Sequence, residues 1–277
     1  MQRILFIISL LSVVLHTLPT LGQQSDNLRA GRNFLPTKVY SLEEDRVLLE
    51  KFQGLRVADV SDGMDQAGLR NVGLVSGEIG PLWKDIEKFT HRIIGIAVTA
   101  RYVPSNEPLP GPMAADEFDQ WVGEFYSQKS SEPFVELIRE GTILVIEDAP
   151  LADVGSIGSN NIMGWKLKGC RGVVTSATAR DTDEIIAERI PLYYSKPGRG
   201  IRPGRNEIES VNRPIVVGGA LVMPADVIVA DGDGVIVVPR DHAEAVADYA
   251  HAILAGDKAA RRQLYDQLGL PEDDSVK

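Results

Sequence analysis

The sequence predicts an α/β fold, and three observations predict it. Short β-branched runs recur along the chain, at residues 93–103, 142–146, 171–175, 215–217, 227–230 and 235–238. Helical patterns with readable starts and stops lie between and around them. Residues 155–184 read as a glycine-punctuated loop, a helix, a strand and a further helix start, the arrangement found where a sheet edge hands over to helices.

Taken in order, the chain opens with Arg3, an apolar run from Ile4 to Leu15 interrupted by Ser9 and Ser12, and then Pro19-Thr20-Leu21-Gly22. A basic start, a short apolar core and small residues before a cut after Gly22 predict a signal peptide over residues 1–22, hence a secreted or periplasmic protein. The run is shorter than the roughly 20 residues of a membrane span, so none is expected after cleavage, and an uncleaved anchor is the alternative. Residues 23–40 read as a flexible lead-in. Ser41-Leu-Glu-Glu44 is a capping box opening a helix with Leu42, Val47, Leu48 and Phe52 inward and Gly54 as its stop. A second short helix is expected from near Asp59 to Gly68. The strand at 93–103 alternates Ile94, Ile96, Val98 and Ala100.

Residues 104–132 combine a Pro-rich turn with an acidic, aromatic segment (Asp116, Glu117, Phe118, Trp121, Phe125, Tyr126), either a surface helix or the rim of a site. Residues 134–139 are helical and Gly141 ends them, before the strand at 142–146. A strand is expected at Pro191–Tyr194, and a Gly/Pro/Arg-rich excursion from Lys196 to Arg213. The three C-terminal strands are separated by turns at Pro224-Ala225-Asp226 and Asp231-Gly-Asp-Gly234. Asp241 is expected to cap a helix to Leu254, and a last helix covers about Lys258 to Leu268. Residues 41–270 form the folded domain and 271–277 a polar tail.

Composition narrows the class. The chain has 277 residues with apolar segments spread evenly, which favours one domain. With 44% hydrophobic and 25% charged residues it reads as an ordinary soluble globular protein. A net charge of −10 and no basic patch argue against nucleic acid as a partner. The single Cys170 excludes an intrachain disulfide and reads as a buried thiol.

The chemistry concentrates in one stretch. Gly155-Ser-Ile-Gly158-Ser159-Asn160-Asn161 precedes a helical pattern of Ile162, Met163, Trp165 and Leu167, stopped at Lys168-Gly169. A helix start exposes unpaired N–H groups and the positive end of the dipole, which suit a carboxylate or phosphate. Arg180-Asp181 follows where the next strand hands over to a helix. Other candidates fall away: Asp231-Gly-Asp233-Gly has His242 where a calcium loop needs glutamate, so it reads as a hairpin turn. His91, His242 and His251 lack metal spacing and read as surface residues, and Gly218-Gly219 reads as a turn.

This order of glycines and the R-D pair resembles the RraA-type family. So do Val57-Ala-Asp-Val-Ser-Asp62, Gly95-Ile-Ala-Val-Thr99, Pro214-Ile-Val-Val-Gly-Gly219 and Val222 to Pro239, and together they cover roughly residues 41 to 270. That family includes 4-hydroxy-4-methyl-2-oxoglutarate aldolases, which are class II pyruvate aldolases and often oxaloacetate decarboxylases, and regulators of ribonuclease E. The resemblance implies a swivelling β/β/α single domain assembled as a homotrimer or a dimer of trimers. It implies a metal-dependent carbon–carbon lyase that works on a small 2-oxo acid through a pyruvate enolate. Asp181 would be the ligand of a divalent cation, Mg2+ or Mn2+, which tolerates one or two carboxylates and keeps several waters. The alternative role for Asp181 is to cap the helix that follows it. Arg180 would bind substrate and stabilise charge growing on the keto oxygen; the alternative is a surface pair with Asp183 or Glu184. Gly158 and the backbone at Ser159, Asn160, Asn161 and Ile162 would hold the substrate carboxylate. Asp257 matches the acidic residue that the family supplies from a neighbouring subunit. The sequence departs from the aldolases at Ser159, where they carry aspartate, and at Thr175-Ser-Ala-Thr178, which leaves open a different substrate of the same enolate chemistry. A non-catalytic binding protein of the same fold is the other alternative.

Overall fold

The computed structural model describes residues 28–148, 153–273 and 275–277. The expected signal peptide lies outside the described residues, as does the start of the lead-in. The chain divides into two units, Met1–Pro36 and Thr37–Lys277. Residues 28–36 of the first are exposed throughout.

The second unit carries the α/β fold. Its helices are α1 (Leu42–Lys51), α2 (Val57–Gln66), α3 (Ala115–Gln128), α4 (Ser159–Leu167), α5 (Thr182–Ala187) and α6 (Ala243–Leu268). The strands of its main sheet are β1 (Gly80–Pro81), β2 (Ile93–Pro104) and β3 (Thr142–Glu147), then β5 (Cys170–Thr175), β7 (Leu192–Tyr194) and β9 (Asn206–Val211), and last β12 (Val227–Asp231) and β13 (Gly234–Val238). Their order is β1-β7-β5-β3-β2-β12-β13, with β9 also paired to β2. Parallel pairing joins β2, β3, β5 and β7, and antiparallel strands finish the edges. A small parallel sheet contains β4 (Gly155–Ile157), β6 (Thr178–Ala179) and β8 (Lys196–Pro197), and β10 (Ile215–Val217) forms a hairpin with β11 (Ala220–Val222). The hairpin turns through Gly218 and Gly219 at φ 53° and 81°, a turn that needs positive φ at both positions.

The strands are apolar on both faces because both are covered. On one side Leu48, Phe52, Val60, Met64, Val246 and Ala250 from α1, α2 and α6 pack on Ile96, Val227 and Ile236. On the other, Ile215, Val217 and Val222 of the hairpin cover Ala97, Val145, Ile228 and Val237. From hairpin to sheet to helices the layers run β/β/α, as expected.

Several expectations need correction. In α1 the Ser41–Glu44 capping box is present, yet Leu42 and Val47 are exposed while Asp45, Leu48 and Leu49 are buried. The inward face is turned because Asp45 is gripped by Arg139 and Arg240, at 2.5 Å and 2.6 Å. The helix expected from near Asp59 runs over Val57–Gln66, as expected, and Asp59 is its third residue, accepting the Arg56 N–H at 2.9 Å. The excursion after Lys196 contains β9, which pairs with β2. α6 is one helix, unbroken at Gly256-Asp257, and Asp241 lies before it in a pair with Lys38 at 2.9 Å rather than capping it. His91 is buried: its Nδ1 accepts the Asp85 N–H at 3.1 Å, and burial lowers its pKa. Cys170 is buried, as expected, and burial raises its thiol pKa.

Candidate functional site

The small sheet brings the glycine loop and the R-D pair together. β4 and β6 run parallel, with Gly155 beside Thr178 and Ile157 beside Ala179, and Arg180 N–H donates to Ile157 O at 2.8 Å. One residue further along each strand, Gly158 and Ser159 therefore lie against Arg180 and Asp181. Beneath them Ile157, Ile162 and Ile185 are fully buried, anchoring β4, α4 and α5 to a common core. Each such side chain contributes about 1.5–3 kcal/mol by leaving water.

The glycines are there for close approach. A Cβ at Gly155 would lie 2.7 Å from Arg180 Cβ and 2.9 Å from its Cγ. At Gly158 it would lie 2.8 Å from Asp181 Oδ2, 3.5 Å from Asn161 Oδ1 and 3.6 Å from Arg180 Nε. Side chains at these two positions would fill the space that Arg180 and Asp181 occupy.

Asp181 has φ 56° and ψ 38°, the left-handed region that aspartate tolerates better than most residues. It makes no side-chain cap to α5, the helix it precedes. The turn instead aims its carboxylate at α4, where Oδ2 accepts the Ser159 N–H at 3.2 Å. Asp181 thus takes one open N–H at the start of the neighbouring helix, whose own N-cap, Gly158, has no side chain to do so. Arg180 Nε stands 3.9 Å from the same Oδ2, and it is this carboxylate, not Asp183 or Glu184, that it faces; both side chains are more than a third exposed.

Two of the expected site residues are placed elsewhere. Ile162 N–H donates to Gly158 O at 3.2 Å within the helix, and its side chain is buried, so it offers nothing to a ligand; residues 159–161 are left with first-turn amides. Asp257 accepts from Arg56 at 3.0 Å, on the face where α6 meets α2. Within one chain it is not part of the Arg180–Asp181 group.

A polar network behind the loop has no motif that could have announced it. Glu132 Oε1 accepts from Asn161 Nδ2 at 2.8 Å and from Arg202 at 2.6 Å, while Oε2 accepts from Trp165 Nε1 at 3.1 Å. Arg202 also donates to the Tyr102 hydroxyl at 2.8 Å. Burial opposes the charge on Arg202, but Tyr102 and Glu132 more than offset it and raise its pKa; burial likewise raises the pKa of Tyr102. A second network holds β4: Asp148 accepts from Ser156 Oγ and from Asn206 Nδ2, the latter at 2.7 Å. The acidic, aromatic segment forms α3 and, with Ile201, Pro203 and Arg205, lines a cavity of about 570 Å³ that includes neither Arg180 nor Asp181.

No group of three or more His, Cys, Asp or Glu side chains gathers among the described residues, so a zinc-type donor set is not found among them. A single half-exposed carboxylate beside Gly158, which carries no side chain, does suit a hard cation that retains most of its water.

A family model described as RraA-like, Aldolase/RraA, matches residues 57–237. The chain is 26% identical over 236 residues to Protein DlpA of Legionella pneumophila, covering 80% of this chain and 33% of that protein. It is 28% identical over 103 residues to a 4-hydroxy-4-methyl-2-oxoglutarate aldolase of Thermus thermophilus, covering 36% of this chain and 60% of that one. The chain thus spans between 33% and 60% of the length of these curated relatives. Among solved structures, Streptomyces coelicolor RraAS2, described as an unusual member of the RNase ES inhibitor RraA protein family, superposes with a TM-score of 0.62 at 20% identity. That match covers 82% of this chain and 99% of the other, and at this identity it speaks for the fold.

Proposed function

The chain belongs to the RraA-like family, and from that premise we propose that it is a divalent-metal-dependent lyase that cleaves a carbon–carbon bond in a 2-oxo acid, by aldol cleavage or decarboxylation. The observation that carries the reading is the convergence of Arg180, Asp181 and the Ser159 amide over Gly158. Asp181 would hold Mg2+ or Mn2+, which when bound supplies a Lewis acid for the keto oxygen. The amides of Ser159, Asn160 and Asn161, at the positive end of α4, take the substrate carboxylate. Asp181 and that carboxylate are acceptors for the same Ser159 N–H, so turning Asp181 toward the cation frees the amide for substrate. Arg180 presents a planar guanidinium fork that stabilises the negative charge developing as the bond breaks. Asp257 takes part only if a second copy presents it, which the proposed homotrimer or dimer of trimers would do. Export through a signal peptide at residues 1–22 is part of the same proposal; no helix among the described residues is long and apolar enough to cross a membrane.

The test is turnover of oxaloacetate and of 4-hydroxy-4-methyl-2-oxoglutarate by purified protein, with Mg2+ or Mn2+ and after chelation. Metal-dependent turnover of either, lost in Arg180→Ala and Asp181→Ala, supports the reading; inert wild-type protein removes it. One observation favours a second reading, a binding protein without turnover: the Asp181 carboxylate is already engaged as acceptor of the Ser159 N–H. Absence of both Mn2+ uptake and turnover of either acid would identify it.

A further inference from the structure

Glu132 is an acceptor on both oxygens when ionised, and three donors converge on it: Asn161 Nδ2, Trp165 Nε1 and Arg202. This fixes which way the Asn161 amide faces. Its nitrogen must point to the carboxylate, so its oxygen points the other way. That oxygen lies next to the bare Cα of Gly158: a Cβ there would meet Asn161 Oδ1 at 3.5 Å and Asp181 Oδ2 at 2.8 Å. Two oxygens of different residues, one charged and one neutral, thus border the same small space, with Arg180 Nε on its rim. The Arg202 side chain, 5% exposed, and the Trp165 ring hold Glu132 from the other side. Reversing the amide would set the Asn161 oxygen against the Glu132 carboxylate and an N–H2 toward a cation site.

We propose that Glu132 is a positioning residue: by taking the Asn161 amide nitrogen it presents Asn161 Oδ1 beside Asp181 as the second protein oxygen for the divalent cation or its water shell. The inference rests on the metal-dependent reading above and adds to it a neutral oxygen donor and the group that orients it. Hard cations take neutral carbonyl and amide oxygens as ligands alongside carboxylates, and partners that orient a ligand typically change metal affinity about 10–100-fold when removed.

The experiment titrates Mn2+ into the full chain, with free Mn2+ followed by electron paramagnetic resonance and thermal midpoints recorded in parallel. Asn161→Ala is expected to weaken Mn2+ binding about tenfold or more, and Glu132→Gln, which turns one acceptor into a donor facing donors, to do the same. The double variant is expected to bind no more weakly than Asn161→Ala, because Glu132 acts through Asn161. Should Glu132→Gln lose its fold, Trp165→Phe replaces it. That change frees Glu132 Oε2 without removing the carboxylate, and is expected to weaken Mn2+ binding only while Asn161 is present. Unchanged affinity in Asn161→Ala overturns the inference, as do additive losses, or a Glu132→Gln protein with a lower thermal midpoint and wild-type affinity. Wild-type protein that takes up no Mn2+ overturns the lyase reading itself, so the two failures are distinguishable.

Discussion

Gly158→Ala separates the stability of the fold from the competence of the site. Gly158 has φ −117° and ψ 167°, extended backbone that alanine adopts without strain. The three heavy atoms nearest the added methyl belong to side chains: Asp181 Oδ2 at 2.8 Å, Asn161 Oδ1 at 3.5 Å and Arg180 Nε at 3.6 Å. An Asp side chain can turn away, and the loss is then the bond from Ser159 N–H, about 1 kcal/mol for a cap of this kind. In a domain of this size that is about 2–4 °C in thermal midpoint. The site loses far more, because the oxygen that moves is the one proposed to hold the cation. Mn2+ affinity is expected to fall about tenfold or more, equivalent to about 1.4 kcal/mol, and turnover with it. Gly164→Ala is the control: it lies in α4 with nothing within 4 Å of its added Cβ. It should raise the midpoint slightly and leave Mn2+ binding alone. Calorimetry and Mn2+ titration on both variants decide the matter. Wild-type Mn2+ affinity and turnover in Gly158→Ala would refute the claim that the glycine is kept bare for Asp181.

Other outcomes follow from the same structure. Arg180→Lys keeps a charge but loses the planar fork, and kcat is expected to drop roughly 10²–10³-fold with the thermal midpoint nearly unchanged. Asp45 is buried between Arg139 and Arg240, so Asp45→Asn should destabilise the fold by roughly 3–5 kcal/mol in denaturant titration. Burial raises the pKa of Asp226 to about 6, although the N–H groups of Met223 and Arg240 donate to it. The folded state then binds more protons than the unfolded one between about pH 4 and 6, so this group's contribution is full below that window and lost as pH rises through it. The change is on the order of 3 kcal/mol, and Asp226→Asn should flatten that slope in pH-dependent melts. Buried Cys170 should react with a thiol reagent only upon unfolding, in a timed absorbance assay.

The glycine loop and Arg180-Asp181 were legible because each signal is local: small residues before a helix, a charged pair after a strand. The β/β/α layering was legible only through the resemblance, since β-branched runs do not state their pairing order. Glu132, Tyr102 and Arg202 left no trace in the sequence, for Glu132 meets Asn161 across 29 positions and Arg202 across 70. Such a network exists only after the strands have paired. Asp181 was expected to be either a ligand or the cap of its own helix. The left-handed turn directs it from its own helix to the Ser159 N–H of the neighbouring one, an outcome that depends on how β4 and β6 pair and that leaves its role as a ligand a proposal. The two helices expected up to Leu254 and from about Lys258 are one: a helical glycine costs only about 1 kcal/mol relative to alanine, and the alanine-rich turns on either side of Gly256 carry the helix through.

The most direct measurement is a crystal structure of the protein with Mn2+ and oxalate, a mimic of the pyruvate enolate, using the anomalous signal of manganese. The account predicts a manganese peak about 2 Å from a carboxylate oxygen of Asp181, with oxalate reaching Arg180 and the Ser159 amide. A peak bound elsewhere, with Asp181 still accepting the Ser159 N–H, would contradict it.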